Sequence, residues 1–188
     1  MESAVRRRAL GRGILLGVVI TAIVIGALIL FSGGKDDKPT TLGAIPTATS
    51  QHGKAAPTDE FERFDGTKGT FADYKGTPLV VNFFASWCAP CVREMPDLQS
   101  VHTDLDGKVA FLGMNNQDRA TEGKAMADKA GITYDLARDP NGDFLSAFGG
   151  IVMPTTVFIA ADGTVLEVHN GAFSADDLRA EVHKLFGT

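Results

Sequence analysis

The chain contains only two cysteines in its 188 residues, and these two, Cys88 and Cys91, lie three positions apart. A pair this close encloses too short a loop to brace a fold, so a chemical role is favoured over a structural one. An apolar run over residues 78–84 precedes the pair and is typical of a central strand buried on both faces. A helix is predicted over residues 89–105, bent near Pro96 because proline removes a hydrogen-bond donor. The cysteines therefore mark the point where a buried strand meets the start of a helix.

The start of a helix favours an ionised thiol, because its free N–H groups carry about half a positive charge. The thiolate is the nucleophilic form of cysteine. Cys88 is therefore expected to attack the substrate, whereas Cys91, one turn deeper and shielded, is expected to resolve the resulting bond. The dipeptide between them, Ala89-Pro90, is expected to tune the reduction potential.

Three other roles for a Cys-x-x-Cys pair have less support. A closed zinc site needs four ligands, and no histidine has a partner at ligand spacing among His52, His102, His169 and His183. A cysteine hydrolase that pairs Cys88 with a distant histidine leaves Cys91 without a role. A membrane-tethered copper or metal carrier would use both thiols as ligands, but no Met- or His-rich cluster lies near them. Thiol–disulfide exchange without a metal or an organic cofactor is therefore favoured.

Residues 13–31 contain no charged side chain and consist almost entirely of Ile, Leu, Val, Ala and Gly. These nineteen residues would span roughly 28 Å as an α-helix, about the thickness of the hydrocarbon core of a bilayer. We therefore predict a cytoplasmic N-terminus over residues 1–12, a transmembrane signal anchor over 13–31 and a flexible linker over 32–57. The linker is rich in Gly, Pro, Thr and Ser and lacks aromatic residues, so it cannot bury enough apolar surface to fold.

Four arginines precede the apolar segment, and the positive-inside rule keeps them in the cytoplasm, so the chain after Phe31 is predicted to be exported. A cleaved signal peptide is the main alternative, with Ser32-Gly33-Gly34 as a cleavage site, although signal-peptide apolar regions usually run about 7–15 residues. Beyond residue 31 the chain has 14 basic and 22 acidic residues. This acidic balance argues against nucleic-acid binding.

Strand and helix signals alternate through residues 58–188, which we predict to be one domain. The final helix is the most clearly marked, because Ser174 and Asp177 fit a capping box ahead of an apolar face. Alternation of this kind indicates α/β layers, with helices on both faces of a mixed sheet. The further predicted elements are a hairpin of 61–64 and 70–71, strands over 109–114 and 132–136, helices over 119–130 and 143–148, and a second hairpin of 155–160 and 164–169.

Residues 84–96 read Phe-Ala-Ser-Trp-Cys-Ala-Pro-Cys-Val-Arg-Glu-Met-Pro and resemble the active-site signature of the TlpA/ResA-like thioredoxins. The likeness runs from about residue 61 to residue 186, and residues 118–148 resemble the extra strand–helix insertion that separates this family from plain thioredoxin. Further motifs match in the same order: Asp65-Gly66, Gly76-Thr77-Pro78, Val152-Met153-Pro154-Thr155-Thr156-Val157-Phe158-Ile159 and Asp162-Gly163. The resemblance implies a thioredoxin fold and a protein thiol–disulfide oxidoreductase.

The resemblance also implies roles for residues around the cysteines. The Met153–Pro154 peptide bond is expected to be cis and to lie against the disulfide, with an ordinary loop proline as the alternative. The backbone of Met153 would then face Cys88 and pair with an incoming substrate strand. Trp87 is expected to shield the disulfide and to offer clients an apolar landing surface, with packing alone as the alternative.

Plain thioredoxin has a buried aspartate beneath its disulfide, and alignment with it places Asn82 at that position. An amide cannot accept a proton, so another group is needed to deprotonate Cys91. The family uses a glutamate near its cysteines, and Glu94 matches it, three residues after Cys91 on the same side of the helix. The alternative is a solvated first-turn glutamate stabilised by the helix dipole.

The function implied by the resemblance is a reductase for exported protein thiols, supplied with electrons by a membrane thiol donor. Apocytochrome c, whose cysteines must be reduced before haem attachment, is a candidate client. An oxidase that introduces disulfides into secreted proteins is the alternative within the same class. Reduction potentials in this fold span roughly −270 to −120 mV, so both directions remain open.

Overall fold

The structure is a computed structural model that describes residues 51–188. The predicted cytoplasmic N-terminus, the anchor over 13–31 and residues 32–50 of the predicted linker lie outside the described residues. No helix in the described part of the chain is long and apolar enough to cross a membrane. The membrane anchor and the N-terminal boundaries therefore stay predictions.

The described residues form seven strands in one sheet, together with four α-helices. The strands are β1 Phe61–Arg63, β2 Lys68–Gly69, β3 Leu79–Phe84, β4 Ala110–Asn116, β5 Asp135–Asp139, β6 Thr155–Ile159 and β7 Val165–Asn170. The helices are α1 Ala89–Leu105, α2 Ala120–Lys129, α3 Asp143–Ala147 and α4 Ala175–Phe186. Across the sheet the strands lie in the order β2-β1-β5-β4-β3-β6-β7.

The sheet contains both parallel and antiparallel pairs. β4 runs parallel to both β3 and β5, whereas β6 pairs with β3 in the antiparallel direction. Every residue of β3 is buried, because the strand has neighbours on both edges and packed layers on both faces. The predicted thioredoxin-like α/β fold with a mixed sheet is confirmed.

Alternate residues of β3 enter two hydrophobic layers on opposite faces, as the pleat of a strand requires. Val81 and Phe83 pack in a cluster with Phe148, which follows α3. Val80 packs in a second cluster with residues of α1 and α4. Helices therefore cover both faces of the sheet, as the alternating sequence pattern predicts.

Two helices form as their sequence signals predict. The helix that follows the cysteines covers the predicted residues 89–105. At the start of α4, Ser174 Oγ accepts the N–H of Asp177 at 3.2 Å. The apolar face behind this cap contains the buried Leu178 and Val182. The predicted N-cap and the amphipathic character of α4 are confirmed.

The first predicted hairpin forms, but its second strand is Lys68–Gly69 rather than residues 70–71. The N–H of Thr70 donates to the carboxylate of Asp73 at 3.1 Å, and the Thr70 hydroxyl donates to the same carboxylate at 2.9 Å. These bonds begin a short 3-10 helix over Phe71–Tyr74. The chain therefore turns away from the sheet at Thr70, so the strand predicted there was wrong.

The strand predicted over residues 132–136 lies three residues later, as β5. The N–H of Ile132 donates to Ala127 O at 3.0 Å, so the chain is still bonded to the end of α2 at that point. Gly131 has a φ of 71°, the left-handed conformation in which glycine commonly ends a helix. Ile132 packs against a hydrophobic cluster that includes Ala127 instead of entering the sheet.

The chain is already bonded to the sheet before residue 58. The N–H of Gly53 donates to Val165 O at 2.8 Å, and the N–H of Ala56 donates to Gly163 O at 2.9 Å. An isolated β-bridge lies between these two bonds. Residues 53–56 therefore lie against the hairpin of β6 and β7, ahead of the boundary that composition places at residue 58.

Candidate active site

The two cysteines lie where β3 gives way to α1. Cys88 caps the N-terminus of α1, and its sulfur accepts the N–H of Cys91 at 3.3 Å. The two sulfurs are joined in a disulfide, with the Cα atoms 5.3 Å apart. Pro90 lies in the first helical turn, where a missing N–H leaves no intrahelical bond unmade. The junction of strand, cysteines and helix that the sequence predicts is present.

The cysteines differ in their access to solvent. Cys88 is 4% exposed and Cys91 is 0% exposed. Both belong to a small hydrophobic cluster with Phe84, Met95 and Ala127. A reagent or client therefore reaches the disulfide from the side of Cys88, which agrees with the predicted order of attack.

Trp87 lies just ahead of Cys88 and faces solvent. Its side chain is 62% exposed, and its indole N–H donates to Gln117 O at 3.3 Å. An indole with this much exposed surface does not serve the core, so the alternative of packing alone does not fit. The role of Trp87 as a landing surface stays a prediction.

The segment that contains Met153 and Pro154 lies against the cysteines. The Met153–Pro154 peptide bond is cis, as the resemblance implies, and Pro154 is buried. Met153 packs against the hydrophobic cluster that contains Cys88 and Cys91. Its sulfur accepts the side-chain N–H of Asn116 at 3.4 Å. The structure thus brings together the residues that the resemblance assigns to substrate binding.

Glu94 is buried one turn along α1 from Cys91. Only 2% of the surface of Glu94 is exposed to solvent. One carboxylate oxygen accepts an amide N–H of Asn82 at 2.8 Å, and the other accepts the backbone N–H of Phe173 at 3.1 Å. The same Asn82 nitrogen lies 3.1 Å from Thr156 Oγ1. The alternative of a solvated glutamate is wrong.

The environment of Glu94 shifts its titration towards neutral pH. Burial disfavours the carboxylate and raises the pKa of Glu94 to about 7, although the bonds from Asn82 and Phe173 act in the opposite direction. Asp97, another acid on α1, adds to the increase. Glu94 can therefore gain or lose a proton near physiological pH, whereas Asn82 cannot.

The turn after β4 adds residues that the sequence-based prediction missed. Asp118 accepts the backbone N–H of Ser86 at 2.6 Å and the Ser86 hydroxyl at 2.9 Å. A signal was present, since the polar run of residues 115–118 includes the end of a buried strand and the turn after it. Parallel neighbours end at the same edge of a sheet, so this run had to lie beside the end of β3.

Four exposed apolar side chains lie next to the cysteines or to Met153 in the sequence. Among residues 51–188, the large hydrophobic side chains that remain exposed are Trp87, Val92, Ile151 and Val152, at 62, 44, 48 and 50%. Two of them flank the cysteines in sequence, and two immediately precede Met153. We call these four residues the apolar rim. Such grouping of exposed apolar side chains is typical of a surface that contacts another protein.

Within residues 51–188, no group of three or more His, Cys, Asp or Glu side chains is placed to hold a metal ion. The two sulfurs bond to each other. The chemistry that this arrangement offers is exchange of that disulfide with another thiol.

A redox-active cysteine pair at the start of a helix, behind the central strand of a mixed sheet, defines a thiol–disulfide oxidoreductase of the thioredoxin fold. The chain matches the Redoxin family over residues 51–185, and it belongs to this family. The membership agrees with the resemblance drawn from the sequence around Cys88 and Cys91.

Named relatives share this activity. The thiol-disulfide oxidoreductase ResA of Geobacillus thermodenitrificans is 26% identical over 134 residues, which cover 71% of this chain and 77% of the relative. The thiol:disulfide interchange protein CycY of Rhizobium leguminosarum bv. viciae is 31% identical over 150 residues, or 79% of this chain and 78% of the relative. A secreted disulfide oxidoreductase of Mycobacterium tuberculosis, homologous to DsbE of E. coli, has a similar structure with a TM-score of 0.63, 25% identity and coverage of 68% and 96%.

In the reduced protein, Cys88 should react with iodoacetamide faster than Cys91, by about tenfold or more, because Cys91 is enclosed and Cys88 caps the helix. Mass spectrometry of peptides after limited alkylation measures both rates. In the unfolded, reduced protein the two rates should become similar. Faster labelling of Cys91 in the folded protein would contradict the assignment.

The burial of Glu94 predicts a dependence of stability on pH that Glu94→Gln should lack. The folded-state pKa lies above its ordinary value of 4.5, so the contribution of Glu94 to stability is complete below pH 4.5 and is lost as pH rises to about 7. Relative to the variant, the oxidised wild type should lose about 3 kcal/mol of unfolding free energy over this interval. Urea unfolding of both proteins at several pH values measures the difference, and a constant difference would show that Glu94 titrates normally.

Proposed function

We propose that this oxidoreductase is a membrane-anchored reductase of exported protein thiols, acting through Cys88 and Cys91 with no metal or organic cofactor. The observation that carries the proposal is the position of the disulfide, which lies at a helix N-terminus between two residues of the apolar rim, Trp87 and Val92. A helix N-terminus favours the thiolate of Cys88, and the rim offers a client protein apolar contact beside the reacting sulfur. Small thiols need no such surface.

The reaction uses both cysteines in order. The thiolate of Cys88 attacks a client disulfide, forming a mixed disulfide and releasing one client thiolate. Cys91 then attacks the Cys88 sulfur, so the second client thiolate leaves and the Cys88–Cys91 disulfide forms. Two electrons pass to the client, and a membrane thiol donor restores the dithiol by the same exchange in reverse.

Glu94 is the proposed acceptor of the Cys91 proton during the second attack. It lies one turn from Cys91 on α1, and its pKa of about 7 allows it to accept a proton at neutral pH. Its burial keeps water from competing for that proton. Asn82, which replaces the aspartate of plain thioredoxin, holds the carboxylate in place at 2.8 Å.

The direction of electron flow and the clients rest on the resemblance to the TlpA/ResA-like thioredoxins. That resemblance favours reduction, with apocytochrome c cysteine pairs among the clients. The names of the relatives ResA and CycY describe disulfide exchange without a direction. Introduction of disulfides into secreted proteins is the competing outcome.

The proposed location is the outer side of the cytoplasmic membrane. Residues 1–12 would remain in the cytoplasm, residues 13–31 would span the membrane, and the linker beginning at residue 32 would carry the catalytic domain. The structural relative from Mycobacterium tuberculosis is described as secreted, and another from Streptococcus pneumoniae as an exposed lipoprotein. Both descriptions support a catalytic domain outside the cytoplasm.

The variant Cys91→Ser should trap clients. Serine keeps the size of the side chain but cannot attack the mixed disulfide, so covalent adducts through Cys88 should accumulate in cells. Adducts are seen as bands on non-reducing gels that disappear with dithiothreitol, and mass spectrometry identifies the clients.

The matched control is the double variant Cys88→Ala, Cys91→Ser, which should form no adduct. Clients with a Cys-x-x-Cys pair, such as apocytochrome c or a partner reductase, would support the reductase. A broad set of secreted disulfide proteins would replace it with the oxidase. An absence of adducts, together with tight copper binding by the wild type, would contradict thiol exchange as the function and favour a metal carrier.

A reporter that is active only outside the cytoplasm, fused after Thr188, should be active and should sediment with membranes. The same fusion without residues 13–31 should be inactive, because it lacks the segment that directs export. A wild-type fusion that is soluble in the cytoplasm would contradict the proposed location. Activity released from the membrane in a shortened protein would instead favour a cleaved signal peptide.

A further inference from the structure

The turn that follows β4 is bonded to the segment that leads into the cysteines. β4 is the parallel neighbour of β3, so both strands end at the edge of the sheet where α1 begins. Asp118 accepts four hydrogen bonds there. Both donors of Ser86 contribute, at 2.6 and 2.9 Å, and the others are the side chain of Asn115 at 3.0 Å and the N–H of Arg119 at 2.8 Å.

The last residue of β4 and the turn after it contact the segments on both sides of the disulfide. Gln117 O accepts the indole N–H of Trp87 at 3.3 Å. Asn116 donates to the sulfur of Met153 at 3.4 Å. The backbone that carries Trp87 and the segment before Pro154 are therefore both bonded to four consecutive residues, 115–118.

The turn is itself hydrogen-bonded to β5 and to the loop that follows β5. Gln117 has a φ of 46°, a left-handed conformation that residues other than glycine adopt rarely and that persists where its surroundings fix it. The N–H of Gln117 donates to Asp139 O at 2.9 Å, and its side chain donates to Asn141 O at 3.0 Å. Asp139 is the last residue of β5, so the turn is supported by the sheet.

The Asp118 carboxylate is suited to bind these donors. Burial disfavours its charge, but the hydrogen bonds from Ser86, Asn115 and Arg119 outweigh burial and lower the pKa of Asp118. Asp118 is therefore ionised at neutral pH. Hydrogen bonds to an ionised acceptor are stronger than bonds between neutral groups.

We propose that Asp118 is a positioning residue, which fixes Ser86 and Trp87 on the supported turn and so keeps the Trp87 indole beside Cys88 for the docking client. The client-docking part of this statement rests on the proposed function. The positioning part does not, because it concerns only the free protein. Asp118 takes no part in the exchange of electrons.

Trp87 provides a direct measurement, because it is the only tryptophan in the chain. The decay of its fluorescence anisotropy separates tumbling of the protein from local motion of the indole. Asp118→Asn keeps the size of the side chain but removes the charge and one acceptor. In the oxidised protein, this variant should increase the fast, local component of the decay about twofold.

The matched control is Glu122→Gln. Glu122 lies on α2, one turn from Asp118, and forms an ion pair of 2.6 Å with the exposed Arg119. The control removes a negative charge from the same side of the site without touching Ser86. It should leave the anisotropy decay unchanged, whereas an equal change in both variants would show that charge alone matters and would overturn the proposal.

A second readout separates docking from chemistry. With insulin as the protein disulfide and dithiothreitol as reductant, Asp118→Asn should raise the KM about three- to tenfold and leave kcat nearly unchanged. Alkylation of Cys88 by iodoacetamide, which needs no docking surface, should stay within about twofold of wild type. A fall in kcat and in alkylation to the same extent would show that the variant damages the cysteines themselves, and would contradict a positioning role.

Ser86→Ala tests the same contact from the other side if Asp118→Asn unfolds. It removes the hydroxyl bond at 2.9 Å but leaves the backbone bond, so it should produce a smaller change in the same direction. In the double variant, the two changes in the local anisotropy component should not add, because both break the same contact. An unchanged anisotropy decay in both Asp118→Asn and Ser86→Ala would overturn the positioning role, even if Cys91→Ser traps clients. An increased local component of the decay in these variants, together with no trapped client, would contradict only the proposed function.

Discussion

The burial of β3 on both faces is the constraint on which the rest of the site depends. Because the strand is packed on both faces, the position of its C-terminal end is fixed. The turn after it therefore holds Cys88 in one position at the N-terminus of α1. β4 and β6 pair with its two edges. The parallel neighbour ends beside the cysteines with Asn115 and Asn116, and the turn of Gln117 and Asp118 follows. The antiparallel neighbour begins there, directly after Pro154.

Glu94 is a buried acidic residue in this apolar setting, and two elements of the fold supply its hydrogen bonds. Asn82 of β3 donates to one oxygen, and the backbone N–H of Phe173, just before α4, donates to the other. An unpartnered carboxylate at this depth would be strongly destabilising. The two hydrogen bonds allow the carboxylate to be buried, but they do not fully offset the loss of hydration. The pKa of Glu94 therefore rises to about 7. The same residue thus weakens the fold above neutral pH and, under the proposed function, accepts the proton of Cys91.

The sequence allowed the central features to be predicted for physical reasons that act locally. A continuous apolar run marks β3, a Ser–Asp pair marks the cap of α4, and Cys88 at the junction marks the site. The strand over 132–136 was misplaced because hydrophobicity alone does not distinguish Ile132 packing at a helix end from a residue in a strand. The burial of Glu94 was not evident, because a charged residue near a helix start is usually solvated. Asp118 was missed because its partner, Ser86, lies 32 positions away.

Residues 118–148, which resemble the insertion that separates the TlpA/ResA-like thioredoxins from plain thioredoxin, do more than extend the sheet. Residues 118–148 begin with Asp118, which binds Ser86, and they include Asp139 and Asn141, whose carbonyl oxygens accept from Gln117. Hydrogen bonds therefore connect β5 to this turn, and the turn to the segment that contains Trp87. Under the proposed function, a change in residues 118–148 would alter how a client meets the disulfide while β3, α1 and the cysteines stay in place. Under the proposed function, the central strand and helix fix the chemistry, and residues 118–148 adjust how a client docks.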